Sequence, residues 1–280
     1  MLLSSPSIRF PLVPTAVVVL GIALLLSGPE PSSAIKHTHV RDSPSAHLGP
    51  TDTLRSVSHW IVHHTNRERT SRGLEPLSTD AQLRRIACSH TRDMLDHNFF
   101  RHENPDGESP ADRVARQHRR LIGEAGENLW EQTGRRLRDP DALADKIVGR
   151  WMESPAHRQH ILRADFSHVG VCTLQEDEQI RGTQLFTRTR AYLRTPLPHT
   201  APAGSVIAAP IERTFPPTAS IAKYDFWDPA TGERVAGPVI FADTLELPTV
   251  TGPVRPRFYV PRANRYQIHW GPEIQITSPR

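Results

Sequence analysis

Cys88–Arg113 reads CSHTRDMLDHNFFRHENPDGESPADR, and its pattern changes partway along. Leu83, Ile86, Ala87, His90 and Met94 make one helical stripe, so the first part is expected to close an amphipathic helix. His90 lies on that apolar face, where a hydrogen-bonded core histidine is a better reading than a ligand. Phe99 and Phe100 then lead into Asn104-Pro105-Asp106-Gly107, residue types that build tight turns. Ser109-Pro110-Ala111-Asp112 starts a short third helix with Pro at its first position. His102 falls between the aromatics and the turn, where turn chemistry needs no imidazole. It is either an exposed loop residue or a polar group facing a cleft, held by the packed phenylalanines.

Upstream, Leu54, Val57, Ile61 and Thr65 fall at helical spacing, with Asp52 as the expected cap and Gly73 as the stop. Thr79 or Asp80 then opens the helix that runs into Cys88. Downstream, GENLWEQ is extended, and DPDALADKIVGRWMES returns to helical spacing through Ala144, Ile147, Val148 and Trp151. Pro155 restarts a short helix or turn through Leu162. HVGVCTLQ and GTQLFTRTRAYLR are two strands joined by a polar turn. Helices first and strands last predict an α+β domain. Past Pro196, runs such as KYDFWDPATGERV, GPVIFADTLEL and RPRFYVPRANRYQIHW are β-prone and broken by Pro, Gly and Asn. They suit a small β-sandwich or strand-rich appendage.

The 280 residues allow one large domain or two ordinary ones. A net charge of +4 is scattered without a basic run, which argues against a nucleic-acid site. Residues 1–34 read as an export signal: Arg9 supplies the positive region, FPLVPTAVVVLGIALLLSG the apolar core, and Ser32-Ser33-Ala34 a cleavage site. Uncleaved, the same apolar segment would be a membrane anchor, and the only membrane contact expected. The remainder is thus expected to be secreted or periplasmic. Residues 35–50, IKHTHVRDSPSAHLGP, read as a linker in which His37 and His39 usually have no role. The two cysteines, Cys88 and Cys172, are more readily one disulfide than two free thiols in an exported chain.

Two further fragments bear on His102. Glu127 in GENLW is bracketed by Gly126 and Asn128, so its carboxylate can face a hollow while Leu129 and Trp130 enter the core. His157 rides on the turn that Pro155 starts. Neutral imidazoles and a carboxylate from separate elements suit a borderline divalent cation such as zinc. Separations along the chain do not show that the three meet.

The fragments NRERTSRGLEPLSTDAQL, CSHTRDMLDHNFFRHENPDGESPADR, GENLW, WMESPAHRQHIL, FSHVGVC and GTQLFTR occur in the order seen in the CAP superfamily. This superfamily contains the cysteine-rich secretory, antigen-five and pathogenesis-related proteins, or SCP domains, and the chain most resembles its bacterial branch. The resemblance implies a CAP/SCP domain over residues 51–195 folded as a three-layer α-β-α sandwich, and the β-prone runs beyond it are expected to form a small β-rich C-terminal domain at 196–280. It implies a cavity in which His102 and His157 are metal ligands, with Glu127 and Asn128 on the lining. Glu153 is the nearest candidate for a further lining acid, one position early after Trp151. It also implies an exported, non-catalytic binding module for a lipid or other small hydrophobic ligand, a peptide or an envelope partner, with zinc or another divalent cation as an optional cofactor. The alternative is a metal-dependent hydrolase with Glu127 as general base. No G-x-S-x-G or H-E-x-x-H occurs.

Overall fold

A computed structural model of the chain describes residues 50–134 and 139–279. The expected signal, and the linker up to residue 49 with His37 and His39, lie outside the described residues.

Helix α1, Pro50–Thr70, begins two residues before Asp52, which therefore lies in the first turn rather than at the cap. Pro at a helix start wastes no hydrogen bond, since the first N–H groups have no intrahelical acceptor. Gly73, at φ +72, follows the helix end. Ser78–Thr79 form the short strand β1, and Asp80 caps α2, Ala81–Asp96, by accepting from the main-chain N–H groups of Gln82 and Leu83. Ser109 and Asp112 form a reciprocal capping box on α3, Pro110–Gln117. Strand β2 is Leu121–Thr133. Helix α4, Pro140–Glu153, is capped by Asp139, and α5 is Pro155–Leu162. Strands β3, His168–Glu176, and β4, Gln179–Leu193, follow.

Strands β3 and β2 flank β4 in antiparallel pairing. Val57 and Ile61 of α1, Val148 and Trp151 of α4 and Ile161 of α5 pack on Val169, Val171 and Phe186 on one face. Leu83, Ile86 and Ala87 of α2 and Val114 of α3 pack on Leu121, Cys172 and Leu185 on the other. This is the three-layer arrangement. A Cβ at Gly170 would overlap the main chain of Leu83 and Arg84, so glycine lets α2 lie directly on the sheet.

Cys88 of α2 and Cys172 of β3 are disulfide-bonded, with Cα atoms 5.0 Å apart and a sequence separation of 84. A closure of that length restricts the unfolded chain strongly. Replacing both cysteines by alanine is expected to cost about 2–4 kcal/mol. Urea denaturation checks this, and an unchanged midpoint would remove the bond as a stabiliser.

The remaining strands are β5 (Thr200–Pro202), β6 (Val206–Ala208), β7 (Ile211–Thr214), β8 (Lys223–Trp227), β9 (Arg234–Ile240), β10 (Thr244–Glu246), β11 (Gly252–Arg262), β12 (Arg265–Trp270) and β13 (Ile274–Thr277). Most of them prolong the central sheet, while β6 and β10 pair with each other in a separate two-stranded sheet. The order is β1-β3-β4-β2-β12-β11-β13-β5, with Trp270 of β12 paired to Gly123 of β2 and β7 paired to β4. Ile122, Ala191 and Leu193 share a core with Phe226, Phe258 and Ile274. All the described residues fall within one compact unit, His47–Arg280.

His269 of β12 is fully buried at this junction and accepts a hydrogen bond at Nε2 from Arg190 Nε, 3.2 Å away. Burial first, then the neighbouring Arg190 and Arg188 charges, push its pKa down to about 3. In the unfolded chain the imidazole takes its proton near pH 6.5. Below that value the unfolded state binds more protons, so the stabilisation is complete above pH 6.5 and is lost as pH falls toward 3. Stability should drop by about 2 kcal/mol or more between pH 6 and pH 4. In His269→Gln the slope of urea midpoint against pH should be shallower; an identical slope would clear His269.

Candidate functional site

The turn carrying His102 is strapped to the layer beneath it. Asn98, at φ +49, takes the chain out of α2. Buried His90 donates from Nε2 to the Arg101 carbonyl at 3.1 Å, so this core histidine is hydrogen-bonded. Arg113 of α3, only 2% exposed, donates from Nη1 to the carbonyls of His102 and Glu108. Asn104 closes the loop on itself through the Glu108 N–H and carboxylate.

Glu127 joins the same assembly from β2. Its side chain is 1% exposed, and Oε2 accepts from Arg113 Nη2 at 2.7 Å. Its Oε1 lies 2.9 Å from His102 Nδ1. A carboxylate is the acceptor in that contact, so Nδ1 carries the proton and the His102 Nε2 lone pair is left for another partner. The His102 side chain is 53% exposed. An arginine thus fixes a carboxylate, and the carboxylate fixes an imidazole, an order of support that orients metal-ligating histidines in general.

His157 and His160 belong to α5, in the opposite layer. Arg69, fully buried in α1, positions that segment by donating to the carbonyls of Ile161, Arg163 and Phe166. Asn128 holds it from β2: its amide donates to the His157 carbonyl and its Oδ1 accepts from His160 Nδ1 at 3.0 Å. Gly126 is required beside it, because a Cβ there would come within 2.7 Å of the Phe166 ring and 3.1 Å of His160. Burial, and then the charge of His102, lower the pKa of His157 and of His160. Both imidazoles therefore favour the neutral form in which they can ligate.

His102 and Glu127 are thus in direct contact, while His157 reaches the site from the opposite layer on α5. His157 lines a hollow of about 340 Å³ with Phe100, Trp130 and Trp151, a lining that includes neither His102 nor Glu127. Asn128 is fully buried and anchors α5 instead of lining a cavity. Glu153 is exposed: two residues past buried Trp151 on α4, it lies some 200° round the helix from the packed stripe. Among the described residues no three His, Cys, Asp or Glu side chains stand close enough to hold one metal ion.

Reading the sequence missed Arg113 and His160. The His157–His160 pair falls at i,i+3 in SPAHRQHIL, which puts both on one helix face and could have revealed it. Nothing in SPADR distinguishes a buried arginine from an exposed one.

Residues 62–186 match the family profile of the cysteine-rich secretory protein family, CAP. The chain is similar to YkwD of Bacillus subtilis (strain 168), described as uncharacterized: 30% identity over 141 residues, covering 50% of this chain and 49% of that one. It is also similar to YlbC of that organism, described as an uncharacterized membrane protein, at 32% identity over 40% of this chain and 30% of the relative. The chain therefore spans half or less of these curated relatives. Among solved structures, an extracellular SCP-domain protein from Bacillus anthracis str. Ames is 29% identical, with a TM-score of 0.41 over 51% of this chain and 45% of that one. Residues 62–186, a little under half of the chain, therefore carry a CAP domain.

Proposed function

We propose that this chain is an extracytoplasmic binding module in which His102 Nε2 and a His157 ring nitrogen receive a divalent cation, with zinc the best chemical match. The Arg113–Glu127–His102 relay carries this reading, since it holds one tautomer of an exposed imidazole ready for a partner. A two-imidazole donor set fits weak binding that leaves positions for an external ligand, whereas tight catalytic zinc commonly has three protein ligands. The aromatic hollow beside His157 suits a small apolar or peptide group of that ligand. NaASP2, crystallised with Zn2+, shares 10% identity with the chain at a TM-score of 0.36, too little to transfer a residue.

Binding is favoured over hydrolysis by the placement of Glu127. Both of its oxygens are engaged and the side chain is buried, so it orients His102 and is out of reach of an attacking water. The extracellular description of the Bacillus anthracis protein and the signal-like first 34 residues support an exported location.

Calorimetric zinc titration at pH 7.5 should show binding that weakens about tenfold or more in His102→Ala and in His157→Ala. Protons compete for the same nitrogens, so affinity should also fall from pH 7.5 to pH 5. Affinity indifferent to both substitutions would overturn the site. Zinc-dependent turnover of a peptide or ester pool that Glu127→Gln abolishes would overturn the binding reading in favour of a hydrolase.

A further inference from the structure

We infer that the free edge of β3 is a docking slot for an extended, acidic peptide segment, with a lining that includes neither His102 nor His157. Strand β3 pairs along its whole length with β4 on one side, but on the other, among the described residues, only Ser78–Thr79 pair with it, at His168 and Val169. The Asp80 N–H donates to the Val169 carbonyl, so Val169 presents its main-chain groups to that outer side. By the two-residue alternation of a strand, Val171, Thr173 and Gln175 do the same. Among the described residues no main-chain group takes up those positions. Buried main-chain donors and acceptors are almost always paired, so an open row of them within a groove calls for a strand.

The surroundings make this edge a site and not a bare rim. It runs along a cavity of about 850 Å³ walled by α1 and α2 from the two outer layers. Leu54, Val62, Val171 and Leu174 supply apolar lining, and Arg55 and Arg84 stand on opposite lips. Both arginines are exposed, and among the described residues neither has a carboxylate within ion-pair distance. The lining holds one carboxylate, Asp80, whose oxygens are already engaged by Gln82, Leu83, Tyr192 and His118. Thr173 adds a second polar observation: it is 3% exposed, lines the slot, and its Oγ1 has no hydrogen-bond partner. The Cys88–Cys172 bond ties the α2 wall to the strand, so the slot is pre-formed.

Residues 170–176 offer about 20 Å of edge at roughly 3.3 Å per residue, the reach of a short peptide added as a strand. Hydrogen bonds to the edge would supply affinity for any sequence. The unpaired arginines would select carboxylates, since charge complementarity governs partner choice.

The test uses the intact protein and fluorescein-labelled octapeptides that alternate valine with glutamate, followed by fluorescence polarisation. Saturable binding is expected, weaker by at least tenfold for the valine–lysine counterpart and for the Arg55→Glu/Arg84→Glu double variant. Two probes N-methylated at alternate residues, one residue out of phase, should behave oppositely. The phase that removes the N–H groups facing β3 should abolish binding, and the other should retain it. Amide exchange across residues 169–176 should slow on addition of the peptide, and a zinc chelator should change none of this. Equal response to the two methylation phases, or no saturation up to millimolar peptide, would overturn the proposal. So would sedimentation showing a dimer that Arg55→Glu/Arg84→Glu dissociates, which would give the edge to a second copy of the chain.

Discussion

Arg113→Ala is expected to destabilise the fold by about 3–5 kcal/mol, because it strands a buried carboxylate. The guanidinium serves three acceptors at once: the Glu127 carboxylate and the carbonyls of His102 and Glu108. The Glu127 carboxylate is buried, where water does not readily replace a missing donor, while the two carbonyls belong to the more open turn. Removing one member of a buried pair costs far more than removing both. Urea denaturation of Arg113→Met, Glu127→Gln and the double variant separates these contributions as a thermodynamic cycle. The double variant should be more stable than the two single losses added together. Strict additivity, or a loss below about 1 kcal/mol for Arg113→Ala, would show that the relay is not the support of the His102 turn.

Removing residues 196–280 should have a larger effect still: the truncated chain is expected to lose cooperative folding. Fully buried Ile122, Ala191 and Leu193 would lose Phe226, Phe258 and Ile274 and become part of an exposed apolar patch. Strand β4 would lose β7, and β2 would lose its bridge to Trp270. Arg119, which donates to the carbonyls of Leu197 and Pro198, would lose both. A domain of ordinary stability, about 5–15 kcal/mol, does not survive the loss of one of its cores. Circular dichroism melts and dye binding would measure this. A monomeric fragment 51–195 melting as sharply as the full chain would show that the C-terminal strands are an independent module.

The helices were legible because their signals are local. Asp80, Ser109 and Asp139 are short polar caps ahead of apolar stripes, and each stripe reappears as a packed face. The proximity of Glu127 to His102 was legible only through the resemblance, since 25 residues of intervening chain carry no distance information. Arg113 escaped because burial of a charged residue depends on what the rest of the fold brings to it. Strand propensity after residue 195 was visible, but its pairing was not. The Trp270–Gly123 bridge and the pairing of β7 with β4 commit the C-terminal strands to the central sheet, and no pattern within any of these strands specifies its partner. The β-rich region after residue 195 builds a core of its own, which Ile122, Ala191 and Leu193 of the preceding strands enter.

That bridge has a mechanical corollary. Gly123 and Glu127 lie on one strand, four positions apart, so tension applied at the C-terminal end is conveyed along β2 to the support of the His102 imidazole. A load on the last strands is therefore expected to reach that turn through β2.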